Sequence, residues 1–298
     1  MKFVGLDFNY FTLMHIVYIL LCAGAVVGMY FILRKVHVKR LNTVMFALSI
    51  LQCIMFMVLM VLKLIFVPNA NIIDELPLNL FSLIVILMPF GLYLHHRDML
   101  GVCYYIGSIV CGIDILFPTA QFVGLHFYNP AVIMYYIFMA FEISMCINIG
   151  LQKIYEPDKH WIPDYTLMLL FAESVMHIFN ICVRFSMLSF DTNYCYTFNQ
   201  EDNILFELLF KIIPFPFVYL TPLLILIVGG MYAMSIPQFI ATRRRKKQEA
   251  IEGINKMNEI AKREHELTIK VDNKNTKQTP KRIKADKVYK IRDDDKFV

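Results

Sequence analysis

Charged residues are scarce in this chain and unevenly placed. They make up 18% of the 298 residues, while 58% are hydrophobic; an ordinary water-soluble domain carries about 25% charge and roughly 45–50% apolar residues. Metal-site spacings and Cys-x-x-Cys pairs are missing as well, so the sequence implies no metal and no bound cofactor. Of the seven cysteines, Cys22, Cys53, Cys103, Cys111, Cys146 and Cys182 fall in apolar stretches, where a thiol packs as a small hydrophobe. Only Cys195 lies in a connection, which leaves no extracellular disulfide framework. Residues 1–237 hold 11 Lys/Arg against 14 Asp/Glu, whereas residues 238–298 hold 18 against 10. The chain therefore reads as a membrane domain over 1–237 followed by a basic tail over 238–298. That tail has almost no aromatic residues for base stacking, which argues against nucleic acid as a partner.

What is abundant is apolar length. A hydrocarbon core of about 30 Å needs about 20 apolar residues per helix. Runs of this kind occupy 11–33, 43–67, 76–94, 101–118, 131–151, 165–188 and 215–237, the fourth being the shortest. Lipid cannot satisfy an exposed backbone amide, so these runs predict helices. The expected fold is all-α, a polytopic membrane protein with a bundle of seven transmembrane helices and a partly disordered tail. The first run is longer than the roughly 7–15 apolar residues of a signal peptide, so it reads as a span despite Ala23-Gly24-Ala25.

Loop charge predicts direction. The first connection carries Arg34, Lys35, Lys39 and Arg40, the third Arg97, and the fifth Lys153 and Lys159. The second, fourth and sixth (68–75, 119–130 and 189–202) carry no Lys or Arg. The positive-inside rule then places the odd connections and the tail in the cytoplasm of a cell-membrane protein, with the N-terminus outside. The tail is helix-compatible to about Glu266 and Lys/Asn/Thr/Asp-rich beyond, a composition that predicts disorder. Its cluster Arg243, Arg244, Arg245, Lys246 and Lys247 either anchors topology or also meets anionic lipid headgroups, at about 1 kcal/mol per basic residue.

Ionisable groups inside spans are costly and mark candidate sites. Glu173, His177, Asn180 and Arg184 recur at i, i+4, i+7 and i+11, within about 60° of arc on the sixth span, so this stripe must face protein or water. Glu142, near the middle of the fifth span, shares a face with Tyr135 and Cys146, and is expected to join Glu173 and His177 in a mid-membrane polar cluster. Asp114 and Arg184 each stand four residues from the outer end of their spans, which predicts an ion pair. His15 and Asn79, near the outer ends of theirs, extend this into an outward-opening polar pocket. Each of these residues can equally serve as interhelical glue, at about 0.6–2 kcal/mol apiece. His95-His96 are adjacent and so do not share a helix face. Pro77 fits the first turn of the third span, Pro89 and Pro222 predict kinks, and Pro118, Pro214 and Pro216 mark ends.

Several landmarks come in a recognisable order: His15; Leu76-Pro77-Leu78-Asn79-Leu80-Phe81; Tyr105-Ile106-Gly107; Gly112; Phe117-Pro118; Asp191-Thr192-Asn193-Tyr194; and Pro214-Phe215-Pro216-Phe217. Over roughly residues 10–236 the chain thereby resembles the YwaF-like family of bacterial integral membrane proteins, which is related to the animal transmembrane protein 164 acyltransferase. The resemblance implies the fold and a place in lipid chemistry, with Pro77, Asn193 and Tyr194 as family-motif positions. The family's third helix typically opens Leu-Pro-Leu-His-Leu-Cys, however, and here Asn79 stands in the His place and Phe81 in the Cys place. Thiol acyl transfer needs a thiolate to attack and an imidazole to take its proton, and Phe81 can do neither. A second family histidine, in the fifth span near 138–142, also lacks a counterpart. A thiol relocated to Cys146, beside Glu142 and level with His177, is the one other place for that chemistry. The resemblance therefore implies a lipid-linked protein, either a divergent acyltransferase or a non-catalytic relative. A proton-coupled small-solute transporter using Glu142, Glu173 and His177 is the alternative, although no helix repeat is evident. A seven-helix receptor fits the helix count but not the motifs: the third span ends His95-His96-Arg97-Asp98, and the last has no Asn-Pro-x-x-Tyr.

Overall fold

The computed structural model describes residues 7–68, 70–73, 75–185, 193–198 and 203–275. The helices α1 (Leu13–Arg34), α2 (Val38–Phe66), α3 (Leu80–Leu94), α4 (Arg97–Val102), α5 (Ser108–Leu116), α6 (Pro130–Leu151), α7 (Ile162–Arg184), α8 (Ile204–Ile212) and α9 (Thr221–Asn275) follow one another, with a π-helical turn, Cys103–Gly107, joining α4 to α5. Among the described residues there is no strand, only an isolated bridge between Asp7 and His126. Starts follow local chemistry. Thr12, Asn129 and Asn203 cap α1, α6 and α8 through their side-chain oxygens, and Pro130 fills the first turn of α6, where a missing amide costs nothing.

Among the described residues six helical stretches are long and apolar enough to cross a membrane, not seven. The difference lies at the third expected span. Pro77 precedes the helix instead of entering its first turn, and Leu76 to Leu78 form a tight turn closed by the Leu78 N–H on the Leu76 carbonyl. Helix α3 starts only at Leu80 and stops where His95 turns left-handed (φ 51°). Its 15 residues span about 22 Å at 1.5 Å each, short of the hydrocarbon thickness. The fourth expected span, by contrast, is not the short one. It runs Arg97–Phe122 through α4, the π-helical turn and α5.

That composite helix and α6 form the centre: 67% of the apolar window of each is buried, against 11% for α1 and 17% for α7. Close approach makes this possible. A Cβ on Gly101 would collide with the Tyr165 hydroxyl, which meets the Tyr155 hydroxyl at 3.0 Å, and one on Gly107 would stand 2.7 Å from Cys146 Sγ. Pro89 is carried inside α3. Pro222 does not interrupt a helix as expected but sits in the first turn of α9, where its ring is tolerated.

The outer faces of the surrounding helices are apolar, with Leu20, Leu21 and Ile32 on α1, Ile54 and Ile65 on α2, and Leu167, Phe171 and Ile178 on α7 all exposed. Apolar side chains outside as well as inside require hydrocarbon as the solvent. The chain is an all-α, multi-pass membrane protein.

Two compact units divide the chain, Met1–Gln238 and Phe239–Val298. In the second, helix continues to Asn275, past the expected limit near Glu266, because 267–275 contains neither Pro nor Gly to stop it. The remainder of the stretch expected to be disordered, 276–298, lies outside the described residues.

Gly101→Ala is expected to destabilise the bundle by about 1–3 kcal/mol through overpacking. Gly24, with nothing within 4 Å of an added carbon, should accept alanine without loss. Thermal unfolding of both variants in detergent checks the contrast.

Candidate functional site

A cavity of about 390 Å³ opens at the end of the bundle where the second, fourth and sixth connections gather. Its walls come from α2, α3, α5, α6, α7, α8, α9 and the 193–196 turn. One part of the lining is apolar, with Phe56, Leu59, Met60, Phe81, Leu223 and Ile227; another is polar, with Lys63, Glu75, Asn79, Asp114, Glu173 and Asn193. Lys63 Nζ meets Glu75 Oε2 at 2.5 Å, and both side chains are largely buried.

The 193–198 turn is pinned from two helices. Asn180, wholly buried on α7, accepts the Tyr194 N–H at 3.0 Å and donates to the Tyr194 carbonyl and Thr197 Oγ1 at 2.9 and 2.8 Å. Asn79 is the N-cap residue of α3, yet its oxygen caps nothing in that helix; it accepts the Cys195 N–H at 3.0 Å. Asn193 accepts the Phe198 N–H at 2.8 Å, and Tyr194 donates its hydroxyl to the Ile73 carbonyl. These bonds hold Cys195 (φ 57°) and Tyr196 (φ 53°) in the left-handed region, where a side chain costs about 1–3 kcal/mol.

The cavity thus brings together Asn79, Asp114, Glu173, Asn193 and Tyr194 of the residues that the sequence singles out. It does not gather the others. His15 is fully buried elsewhere: its Nδ1 accepts the Phe11 N–H at 2.9 Å, which leaves Nε2–H to donate to the Ile115 carbonyl at 3.0 Å. Glu142 lies against the Cys111 and Cys146 thiols, and no nitrogen or hydroxyl donor among the described residues reaches either of its oxygens. His177 lies between the Phe198 and Phe217 rings. The expected mid-membrane cluster is therefore not assembled, since Glu173 alone of its three members reaches the cavity, and Cys146 gains no imidazole from His177. The expected Asp114–Arg184 ion pair is not formed either. Asp114 faces the cavity, while the 193–198 turn holds the Arg184 guanidinium 3.9 Å over the Phe198 ring. The polar stripe of α7 is chiefly the seat of that turn.

Pro77 sits in the turn before α3. Arg243 is exposed, stacked 4.3 Å over Phe239, and Lys247 is exposed; the side chains of Arg244, Arg245 and Lys246 lie outside the described residues. Two functional features escaped the sequence reading. Lys63 lies inside an otherwise apolar run, and only the acidic Asp74-Glu75 pair after it hints at a partner. Cys195 lines the cavity, a placement set by Asn79 from a helix 116 residues away. Burial, with the Glu173 and Asp114 carboxylates, pushes the Cys195 thiol up to about 12. No histidine lines the cavity among the described residues. No protein-family model, curated protein or solved structure matches the chain.

A thiol pushed from about 9 to about 12 loses about 1,000-fold in thiolate at pH 8. Alkylation of Cys195 by iodoacetamide, followed by peptide mass spectrometry, should be slow by that factor and rise about tenfold per pH unit. Asn180→Ala, which releases the turn, should speed it at least about tenfold; equal rates in both proteins would dissociate Asn180 from the turn.

Proposed function

We propose that the chain is a lipid-linked membrane protein of the YwaF-like family whose cavity binds a lipid or small amphiphile without running thiol acyl transfer. The observation that carries this reading is the mixed lining: charged and amide side chains share one space with a large set of apolar ones. At about 390 Å³ it falls in the range of about 300–1,000 Å³ typical of small-molecule sites, enough for a headgroup and part of a chain. The positions that would carry imidazole and thiol in the family both face this space, but hold Asn79 and Phe81. Asn79 is engaged in supporting the turn, and Phe81 packs edge-on to Phe56 at 6.1 Å. Binding is thus favoured over catalysis.

In this reading the cavity opens outward. Support comes from loop charge: 68–75, 119–130 and 189–202 at the cavity end carry no Lys or Arg, with Lys211 of α8 the single basic residue between there and the last span, while Arg34, Lys35, Lys39, Arg40, Lys153 and Lys159 gather at the other. The N-terminus is then outside the cell membrane and the tail cytoplasmic, where Arg243 to Lys247 can meet anionic headgroups. A second reading, a proton-coupled small-solute transporter, is favoured by Glu142, a fully buried carboxyl that only thiols approach among the described residues.

Leu223→Trp, which fills the apolar wall, should lower the amount of lipid co-purifying with the protein at least about fivefold while leaving its thermal stability within about 1 kcal/mol. Mass spectrometry of lipid extracted from wild type and variant measures it. Equal retention, together with proton-driven solute uptake that Glu142→Gln abolishes in proteoliposomes, would instead identify a carrier.

A further inference from the structure

We propose that the amphiphile taken by this cavity is cationic, its head an ammonium group seated between Glu173 and Asp114 with its chain along the apolar wall. The inference rests on the amphiphile-binding reading above and names the chemistry of the head.

Among the described residues, four ionisable side chains other than Tyr and Cys line the cavity: Lys63, Glu75, Asp114 and Glu173. Lys63 and Glu75 neutralise one another at 2.5 Å. What remains among the described residues is two carboxyls and no cation. Glu173 is only 6% exposed, and no described residue donates a hydrogen bond to its side chain or pairs with it. Asp114 likewise has no side-chain partner among the described residues; the Tyr135 hydroxyl, 2.8 Å away, goes to its backbone carbonyl. The segments that flank the 193–198 turn in sequence, 186–192 and 199–202, contain no Lys or Arg. Cys195 lines the same cavity as both carboxyls.

A buried carboxylate without a partner is expensive, and a cation entering beside it removes that cost. A second feature points the same way. Phe56, Phe81, Tyr135, Tyr194, Tyr196 and Phe206 all line the cavity, and aromatic faces attract ammonium groups through their quadrupole, most strongly where water is excluded. A bare metal ion fits less well, since no group of three or more His, Cys, Asp or Glu among the described residues is arranged to hold one. An anionic head would meet two uncompensated carboxylates. The apolar wall of Leu59, Met60 and Leu223 has no use for a head alone, so the chain is part of the recognition.

The test uses the full chain in nanodiscs, with binding corrected for empty nanodiscs. Four probes share or omit parts of the ligand: dodecyltrimethylammonium, dodecanol, dodecyl sulfate and tetramethylammonium. The ammonium amphiphile should bind at least about tenfold more tightly than the other three, and Glu173→Gln or Asp114→Asn should remove most of that preference. Glu173→Asp, which keeps the charge, should restore part of it, and all variants must unfold at the wild-type temperature to be scored. If the three twelve-carbon probes bind alike, and Leu223→Trp abolishes them alike, the cavity holds amphiphiles but the cationic head is refuted. Tight binding of tetramethylammonium alone would refute the amphiphile. If none binds, or Leu223→Trp changes nothing, the binding reading itself falls and this one with it.

Discussion

Hydrocarbon cannot hydrogen-bond to a peptide group, and the rest of this protein follows from that constraint. Every backbone amide at membrane depth must find its partner inside the chain, so the body is helical and its outer faces are apolar. The same solvent removes the hydrophobic drive for helices to associate, leaving close packing and buried polar contacts to hold them together. Gly101 and Gly107 let the composite helix of α4 and α5 press against its neighbours. The π-helical turn between α4 and α5 is an irregularity that a buried helix tolerates, because its backbone groups still bond within the helix.

The cavity exists because one short helix starts late. Since α3 begins at Leu80 and not at Leu76, the chain before it is free to turn, and the Asn79 side chain is free to leave its own helix end. It reaches the 193–198 turn, which Asn180 clamps from the other side. Two asparagines on separate helices thus fix a strained turn over a space that would otherwise be filled or open to lipid. Strain of this kind persists only where the surroundings over-determine it, and it gathers where a binding surface needs a fixed shape.

Charge in this space is handled unequally. The Lys63–Glu75 pair satisfies itself, and the Arg184 cation is held over the Phe198 ring, away from Asp114. Glu173 and Asp114 are left facing the cavity without a cation beside them among the described residues. A stripe that looks like a single functional unit on a helical wheel therefore divides: Asn180, His177 and Arg184 serve the turn, and Glu173 serves the cavity.

The sequence by itself determined the solvent, the helical class and the position of most spans, because apolar run length is a local property and hydrocarbon thickness sets its scale. It also marked Asn79, Asp114 and Glu173, since an ionisable or amide group in an apolar run stands out one residue at a time. It could not separate them from His15, Glu142 and Arg184, which carry the same local signal. Nor could it reveal that the third span is short, because Pro77 is compatible both with a first helical turn and with the turn before one. Those distinctions were decided by tertiary structure alone. Whether a buried polar group meets a carbonyl, a ring or an empty space depends on which residues of distant helices arrive opposite it, and hydropathy and spacing record nothing of that.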